Sequence, residues 1–197
     1  MSRKSVDFKY YYSHLRNISL LGRIYKKFFA SQVIFYFASR FGYRIVEVGS
    51  GTGSGVLGAF PKYVSGLDIN PAAVDYCCSQ GMSVGLIQGN GTFPFPDSSF
   101  DACVLDNVLE HIENPRQTLN ECYRITSRNG GLIIVVPGVC GYKSDSDHRI
   151  FYSEQDLNKL DERWLLTRLV AMPFLFKSMF LSKYMRQYCL VAEYRKI

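Results

Sequence analysis

The sequence predicts an α/β fold in which short apolar strands alternate with helices around one core. Two observations carry this. Ile45, Val46 and Val48 read as a short buried strand that breaks into glycine at every second position, from Gly49 to Gly55, before Val56-Leu57-Gly58-Ala59-Phe60 resumes as helix. Leu132-Ile133-Ile134-Val135-Val136-Pro137 is apolar without interruption, as a strand covered on both faces must be. A glycine turn between strand and helix brings backbone N–H groups close to a ligand, because glycine has no Cβ and tolerates positive φ.

The other elements follow in order. From Asp7 to Arg40 the pattern gives one or two helices, with Phe8, Tyr11, Tyr12, Leu15 and Ile18 at helical spacing and Lys9, Arg16 and Arg23 on another face. The second piece, Phe28 to Ala38, is apolar almost all round but far short of the ~20 residues that span a bilayer. Tyr63 to Ile69 is the second strand, and Asn70-Pro71 starts a helix with Asn as N-cap and Pro at its first position. Ser83 to Gln88 is the third strand and Ala102 to Leu105 the fourth. Asn114-Pro115 with Gln117 as a capping-box residue opens a helix to about Ser127, stopped by Asn129-Gly130-Gly131. Trp164 to Ala171 and Gln187 to Arg195 read as strands six and seven. Between them Met172 to Leu181, punctuated by Lys177, is too apolar for an ordinary turn. Core packing, a substrate pocket, a dimer contact and lipid contact all stay open for it.

At 197 residues the chain is long enough for one domain with a sizeable core. The six cysteines form no C-x-x-C pair and no metal-ligand spacing, which predicts reduced thiols, a cytoplasmic protein and no structural zinc. Residues 1–27 have no apolar h-region, so no signal peptide is expected. The net charge of +6 is segregated. Residues 1–44 carry nine Lys and Arg against Asp7 alone, residues 45–162 seven against fifteen acids, and residues 163–197 seven against Glu193 alone. The centre is therefore acidic and both flanks are basic and aromatic. The flanks fit an anionic substrate, an anionic membrane surface or plain solvent.

Two cofactor classes use such a glycine turn. Gly53-Ser54-Gly55-Val56-Leu57-Gly58 matches G-x-G-x-x-G, with Asp68 at a distance suited to a ribose, which would make a nicotinamide-dependent oxidoreductase. That match starts four residues beyond the first glycine, and a pyrophosphate gains nothing from Glu47 beside it. The frame Glu47-x-Gly49-x-Gly51-x-Gly53 instead resembles the first motif of class I S-adenosylmethionine-dependent methyltransferases, whose cofactor carries an ammonium and a sulfonium but no phosphate. Gly89-Asn90-Gly91-Thr92-Phe93-Pro94-Phe95-Pro96-Asp97-Ser98-Ser99-Phe100-Asp101 resembles the G-D-A-x-x-L-P-F-x-D-x-S-F-D stretch of the type 11 branch, which includes ubiquinone- and menaquinone-biosynthesis enzymes. Asn107-Val108-Leu109-Glu110-His111-Ile112 resembles the same branch's segment after strand four.

The resemblance implies a Rossmann-like, seven-stranded, mainly parallel sheet with helices on both faces and an antiparallel last strand. It implies a basic, aromatic helical cap over residues 1–43 and a methyltransferase domain over 44–197. S-adenosylmethionine is the implied cofactor and S-adenosylhomocysteine the product. The implied binding residues are Glu47, Gly49, Ser50, Gly51 and Gly53 at the first turn, then Asp68 for the ribose hydroxyls and Ile69 for the adenine face. Asn90, Gly91 and Thr92 follow at the adenine edge, and Asp106, Asn107 and His111 at the methionine end. Asn90 stands where relatives have Asp, which keeps a carbonyl acceptor but removes the charge.

Asp145-Ser146-Asp147-His148-Arg149-Ile150-Phe151 resembles the D-x-x-H-x-R-x-F stretch by which relatives reach the acceptor, so His148 is the candidate base, with a loop histidine held by Asp145 or Asp147 as the plain reading. A divalent ion on those two carboxylates and His148 is not expected, since the family's metal-dependent members use another arrangement. Tyr10, Tyr11, Tyr12 or His14 would join the site if the cap closes, with cation–π attraction to a sulfonium worth roughly 0.5–2 kcal/mol. The expected function is methylation of a small-molecule acceptor, anionic or hydrophobic, at oxygen, nitrogen or carbon. The rival is a non-catalytic cofactor-binding partner or scaffold. Asp106-Asn107-Val108-Leu109 stands where many DNA and amide-nitrogen methyltransferases have an N-P-P-Y-like signature, which argues against nucleic acid as acceptor. Peripheral membrane contact and oligomeric state stay open.

Overall fold

The computed structural model describes residues 25–197. The expected stripe from Phe8 to Ile18, and Tyr10, Tyr11, Tyr12 and His14, lie outside the described residues. The sheet has seven strands in the order β3-β2-β1-β4-β5-β7-β6. These are β1 (Ile45–Val48), β2 (Val64–Asp68), β3 (Val84–Leu86), β4 (Phe100–Asp106), β5 (Thr126–Pro137), β6 (Trp164–Met172) and β7 (Cys189–Lys196). The first five strands pair in parallel, while β7 lies antiparallel between β5 and β6. This is the Rossmann-like sheet with an antiparallel last strand that the sequence predicts.

Alternation along the strands sorts the core into two layers. Val46, Val48, Leu132, Ile134 and Val136 point into one cluster, and Ile45, Ile133 and Val135 into the other. On the second side lies helix α1 (Ser31–Ser39), entered through a π-helical turn at Lys26–Ala30. It buries Ile34, Phe37 and Ala38 against Val104 and Ile133. The first side is covered by a later helix, α4 (Arg116–Ile125), which buries Leu119, Cys122 and Ile125. Each fully buried Leu, Ile or Phe contributes about 1.5–3 kcal/mol. Helices of nine or ten residues are marginal alone, so this burial holds them.

Between α1 and α4 come α2 (Val56–Ala59) and α3 (Pro71–Ser79). The Asn70 side chain caps α3 by accepting from Ala72 N at 3.0 Å, with Pro71 at the first position as expected. After β5 come α5 (Val139–Lys143) and α6 (Glu154–Asn158), and α7 (Met179–Tyr184) falls inside the apolar stretch between β6 and β7.

Two expectations need correction. The helix predicted to reach Ser127 ends at Ile125, where Thr126 Oγ1 donates back to the Cys122 carbonyl at 2.6 Å and opens β5. Asn129-Gly130 is therefore not a helix stop. Thr126 pairs with Phe100 and Gly131 with Ala102, so Ser127–Gly130 bulge out opposite Asp101, with Asn129 at φ +61°. Turn residues punctuate a strand here, and their chemistry is the same in either place. Gln117 makes no capping box. Its side-chain amide donates to the Asn90 carbonyl and ties α4 to the loop after β3. All six cysteines are free. No helix among the described residues is long and apolar enough to cross a membrane.

Candidate active site

The strand order reverses at β1, which has β2 on one side and β4 on the other. The crevice beyond the carboxyl ends of these strands is where open α/β sheets hold ligands. The chain leaves β1 by folding over β2, with Gly49 N and Ser50 N both donating to the Leu67 carbonyl at 2.7 and 3.0 Å. Gly49, Gly51 and Gly53 have φ of +72°, +54° and +70°. At Gly49 the requirement is double, because a Cβ there would lie 2.6 Å from the Val108 side chain. Ser50 is buried over Gly66, and its hydroxyl has no hydrogen-bond partner.

Glu47 is tied to the start of α2. Its carboxylate accepts from Val56 N at 3.3 Å and Leu57 N at 2.7 Å, and it is buried. It satisfies the open N–H groups at the start of α2, where a negative charge also complements the helix dipole. Gly55 is glycine because a Cβ would strike this carboxylate, and Gly58 because a Cβ would strike the Gly53 carbonyl. The G-x-G-x-x-G match of residues 53–58 is thus a packing requirement of α2 on its own entry turn.

Asp68 closes β2. One carboxylate oxygen accepts from Gly51 N at 2.7 Å and the other from Asn70 N at 2.8 Å. Ile69 N also acts on this carboxylate, which still keeps part of its acceptor capacity. Burial raises its pKa, and the backbone N–H groups of Asn70 and Gly51 oppose that rise. Ile69 beside it is 63% exposed, a large apolar side chain left open at a strand end. Across the crevice, the Asn90 side-chain oxygen accepts from Thr92 N at 3.0 Å, which turns it toward its own loop, and Gly91 has φ +82°. At the end of β4, Asn107 has φ +55° and donates to Asp106 Oδ1 at 2.7 Å.

Tyr25 reaches the same strand ends from the segment before α1. Burial, then Cys189 and Asp106, push its pKa up to about 12, and its hydroxyl is buried without a hydrogen-bond partner. Tyr25 was missed at the sequence level. Its only signal is a ring four residues before Phe29, on which it stacks at 5.5 Å.

The two histidines meet beyond β4. His148 is a held loop histidine, but its partners are Tyr142 and Glu110 rather than Asp145 or Asp147. Its Nδ1 lies 2.8 Å from the Tyr142 carbonyl, so Nδ1 carries the proton and donates. Its Nε2 faces Glu110 at 3.9 Å, and the side chain is 8% exposed. Tyr142 stacks on one side at 5.3 Å, and His111 lies on the other at 4.7 Å. His111 is the more exposed ring, with Nδ1 3.3 Å from the Asp147 carbonyl. Shielding by surrounding protein and the neighbouring His148 lower its pKa below the ordinary 6.5. Glu110, His111 and His148 bring ligand-type atoms within 4.8 Å of one another. These are the donor types of a divalent-ion site, and the set differs from the Asp145, Asp147 and His148 group weighed from sequence.

Residues 46–134 match the family model described as a methyltransferase domain. A Mycolicibacterium smegmatis protein named as a probable S-adenosylmethionine-dependent methyltransferase is 33% identical over 94 residues, 46% of this chain and 36% of that protein. The demethylmenaquinone methyltransferase of Renibacterium salmoninarum is 32% identical over 103 residues, 47% of this chain and 40% of that protein. The chain thus aligns with well under half the length of these curated relatives. In overall fold the chain is similar to a Haloferax volcanii methyltransferase solved with its activator Trm112, at TM-score 0.73 and 16% identity, over 96% of this chain and 97% of that one.

Proposed function

We propose that this chain is an S-adenosylmethionine-dependent methyltransferase acting on a small-molecule acceptor. The observation that carries the reading is the convergence of the positive-φ glycine turn, Asp68 and Asp106 at the reversal point of a sheet whose sequence matches the methyltransferase family. The residues present fit the cofactor. Asp68 has acceptor capacity beyond its backbone partners for the ribose hydroxyls, and Ile69 offers an open apolar face for adenine. The N–H groups of Gly49, Ser50, Gly51 and Gly53 are used within the turn, so these residues would let the backbone approach the methionine end closely, with Asp106 and Asn107 to hold it. Asn90, Gly91 and Thr92 would border the adenine edge. Glu47 holds the turn in shape rather than touching the ligand.

When bound, the cofactor supplies a methyl group already activated on a sulfonium. The chain must then bring an acceptor atom in line with it and exclude water, positioning that is worth roughly 7–11 kcal/mol of barrier. Where the acceptor must lose a proton, His111 is the group to take it, since its depressed pKa keeps it neutral near pH 7 and its ring is exposed. His148, engaged at Nδ1 and facing Glu110 at Nε2, orients that ring. Residues 1–43 act as a cap that brings Tyr25 to the site. The free cysteines support a reducing, cytoplasmic setting.

The test is isothermal titration with S-adenosylmethionine, S-adenosylhomocysteine and NADH. Micromolar binding of the first two alone supports the reading, and binding of NADH alone overturns it. The second reading, a non-catalytic partner protein, draws on the turned-in Asn90 side chain and on the Haloferax neighbour solved with an activator. Cofactor binding with no turnover on any extract would put that reading first.

A further inference from the structure

The connection between β6 and β7 inverts the usual rule for a protein surface. Phe174, Leu175 and Phe176 are each more than half exposed, Met179 is 79% exposed, Phe180 69% and Tyr184 63%. Helix α7 buries none of its residues. Monomeric proteins seldom leave so many large apolar side chains together in water. The segment is nonetheless well tied down, because its polar groups point inward. Ser178 N donates to the Tyr188 hydroxyl at 2.9 Å, the Ser178 hydroxyl caps α7 at Leu181 N, and Val139 N donates to the Ser182 hydroxyl at 3.0 Å. The backbone presents the apolar crest to solvent by construction.

The charge around the crest is net positive, with Lys177 paired to Glu154 at 2.6 Å and Lys183 and Arg186 exposed. Lys177, Lys183 and Arg186 surround it, and residues 163–192 contain no acid. The Lys183 ammonium lies over the Tyr184 ring at 5.3 Å, which places a cation on the crest itself. Aromatic and long apolar side chains flanked by Lys and Arg are the pattern that settles into the headgroup layer of an anionic membrane.

We propose that Pro173–Tyr184 docks this protein on an anionic lipid surface, with the apolar crest entering the headgroup boundary and Lys183 and Arg186 on the phosphates. Two other occupants fit the charge poorly. A second copy placed symmetrically would set the same cations against each other. Residues 1–24 carry five Lys and Arg against Asp7 and would meet like charge. The dock lies beside α5, whose Tyr142 stacks on His148, so a membrane-dissolved acceptor would meet the protein on the side of its histidine pair. Docking itself stands without the methyl-transfer reading.

Vesicle co-sedimentation tests it, using phosphatidylcholine alone and phosphatidylcholine mixed with phosphatidylglycerol. The wild-type chain should partition to the anionic vesicles several-fold more than to the neutral ones, and high salt should release part of it. Met179→Glu with Phe180→Glu, both exposed and away from the core, should lower partition about tenfold or more. Lys183→Glu with Arg186→Glu should remove the anionic preference. Cofactor titration of the same variants checks that they are folded and is expected to be unchanged. Absence of wild-type binding to anionic vesicles, binding undiminished in the Met179/Phe180 variant, or a dimer in light scattering that this variant dissolves would each overturn the proposal.

Discussion

Asp68 holds the Gly51 turn and the start of α3 at once, through backbone N–H groups on both oxygens, and the proposed ribose contact uses what acceptor capacity remains. Asp68→Asn keeps one acceptor oxygen and the size of the side chain. It is expected to weaken S-adenosylhomocysteine binding by about 1–3 kcal/mol in calorimetry. Unchanged affinity in the folded variant would remove the ribose from this position. For the histidine pair the pH dependence separates the roles. The His111 pKa is lowered, so the imidazole is neutral above it and loses its proton-accepting form as pH falls through a value below 6.5. The kcat/KM profile of a proton-losing acceptor should show an acid limb there. His111→Asn should abolish the limb and cost about 100- to 10,000-fold. Persistence of the limb in that variant would move the base elsewhere. The positions of Asp68, Ile69, Asp106 and Asn107 at strand ends were legible in the sequence, because a carboxylate after a short apolar run has few other places to go. The inward turn of Asn90 and the engagement of His148 were not, since both depend on carbonyls brought in by neighbouring loops.

The entry turn of α2 shows what a motif hides at the scale of an element. Glu47 reads in sequence as a ligand residue, yet its carboxylate carries the first two N–H groups of a four-residue helix that has no other cap. Glu47→Ala would leave those buried donors unmatched, a cost of about 1–3 kcal/mol each. Thermal unfolding should therefore shift down, and cofactor affinity should fall with it as the turn loosens. An unshifted melting temperature would mean that α2 stands without Glu47. Strand positions were readable throughout because apolar runs between turn residues leave little choice. The end of α4 was not, because Asn129-Gly130 serves a bulge as well as it serves a helix stop, and only the pairing of Thr126 with Phe100 decides between them.

Along the whole chain the charge is zoned, with the stretch of residues 45–162 that builds the crevice acidic and the stretches before and after it in sequence basic. S-adenosylmethionine carries one positive charge more than S-adenosylhomocysteine, so the acidic zone favours it at long range. Raising ionic strength from 0.05 to 0.5 M (roughly a threefold shorter Debye length) should weaken the first ligand more than the second in paired titrations. Parallel salt dependence would show that the zoning does not act on the cofactor. The interior place of β7 has a consequence for how the chain is made. Synthesis runs from β5 to β6 to β7, yet β6 touches the sheet only through β7. Until Cys189–Lys196 leave the ribosome, β6 has no partner and the long edge of β5 lies bare, a template for stray pairing. The nascent chain spends that interval with its proposed lipid dock already synthesised and its sheet unclosed, the period when a chaperone would be needed most.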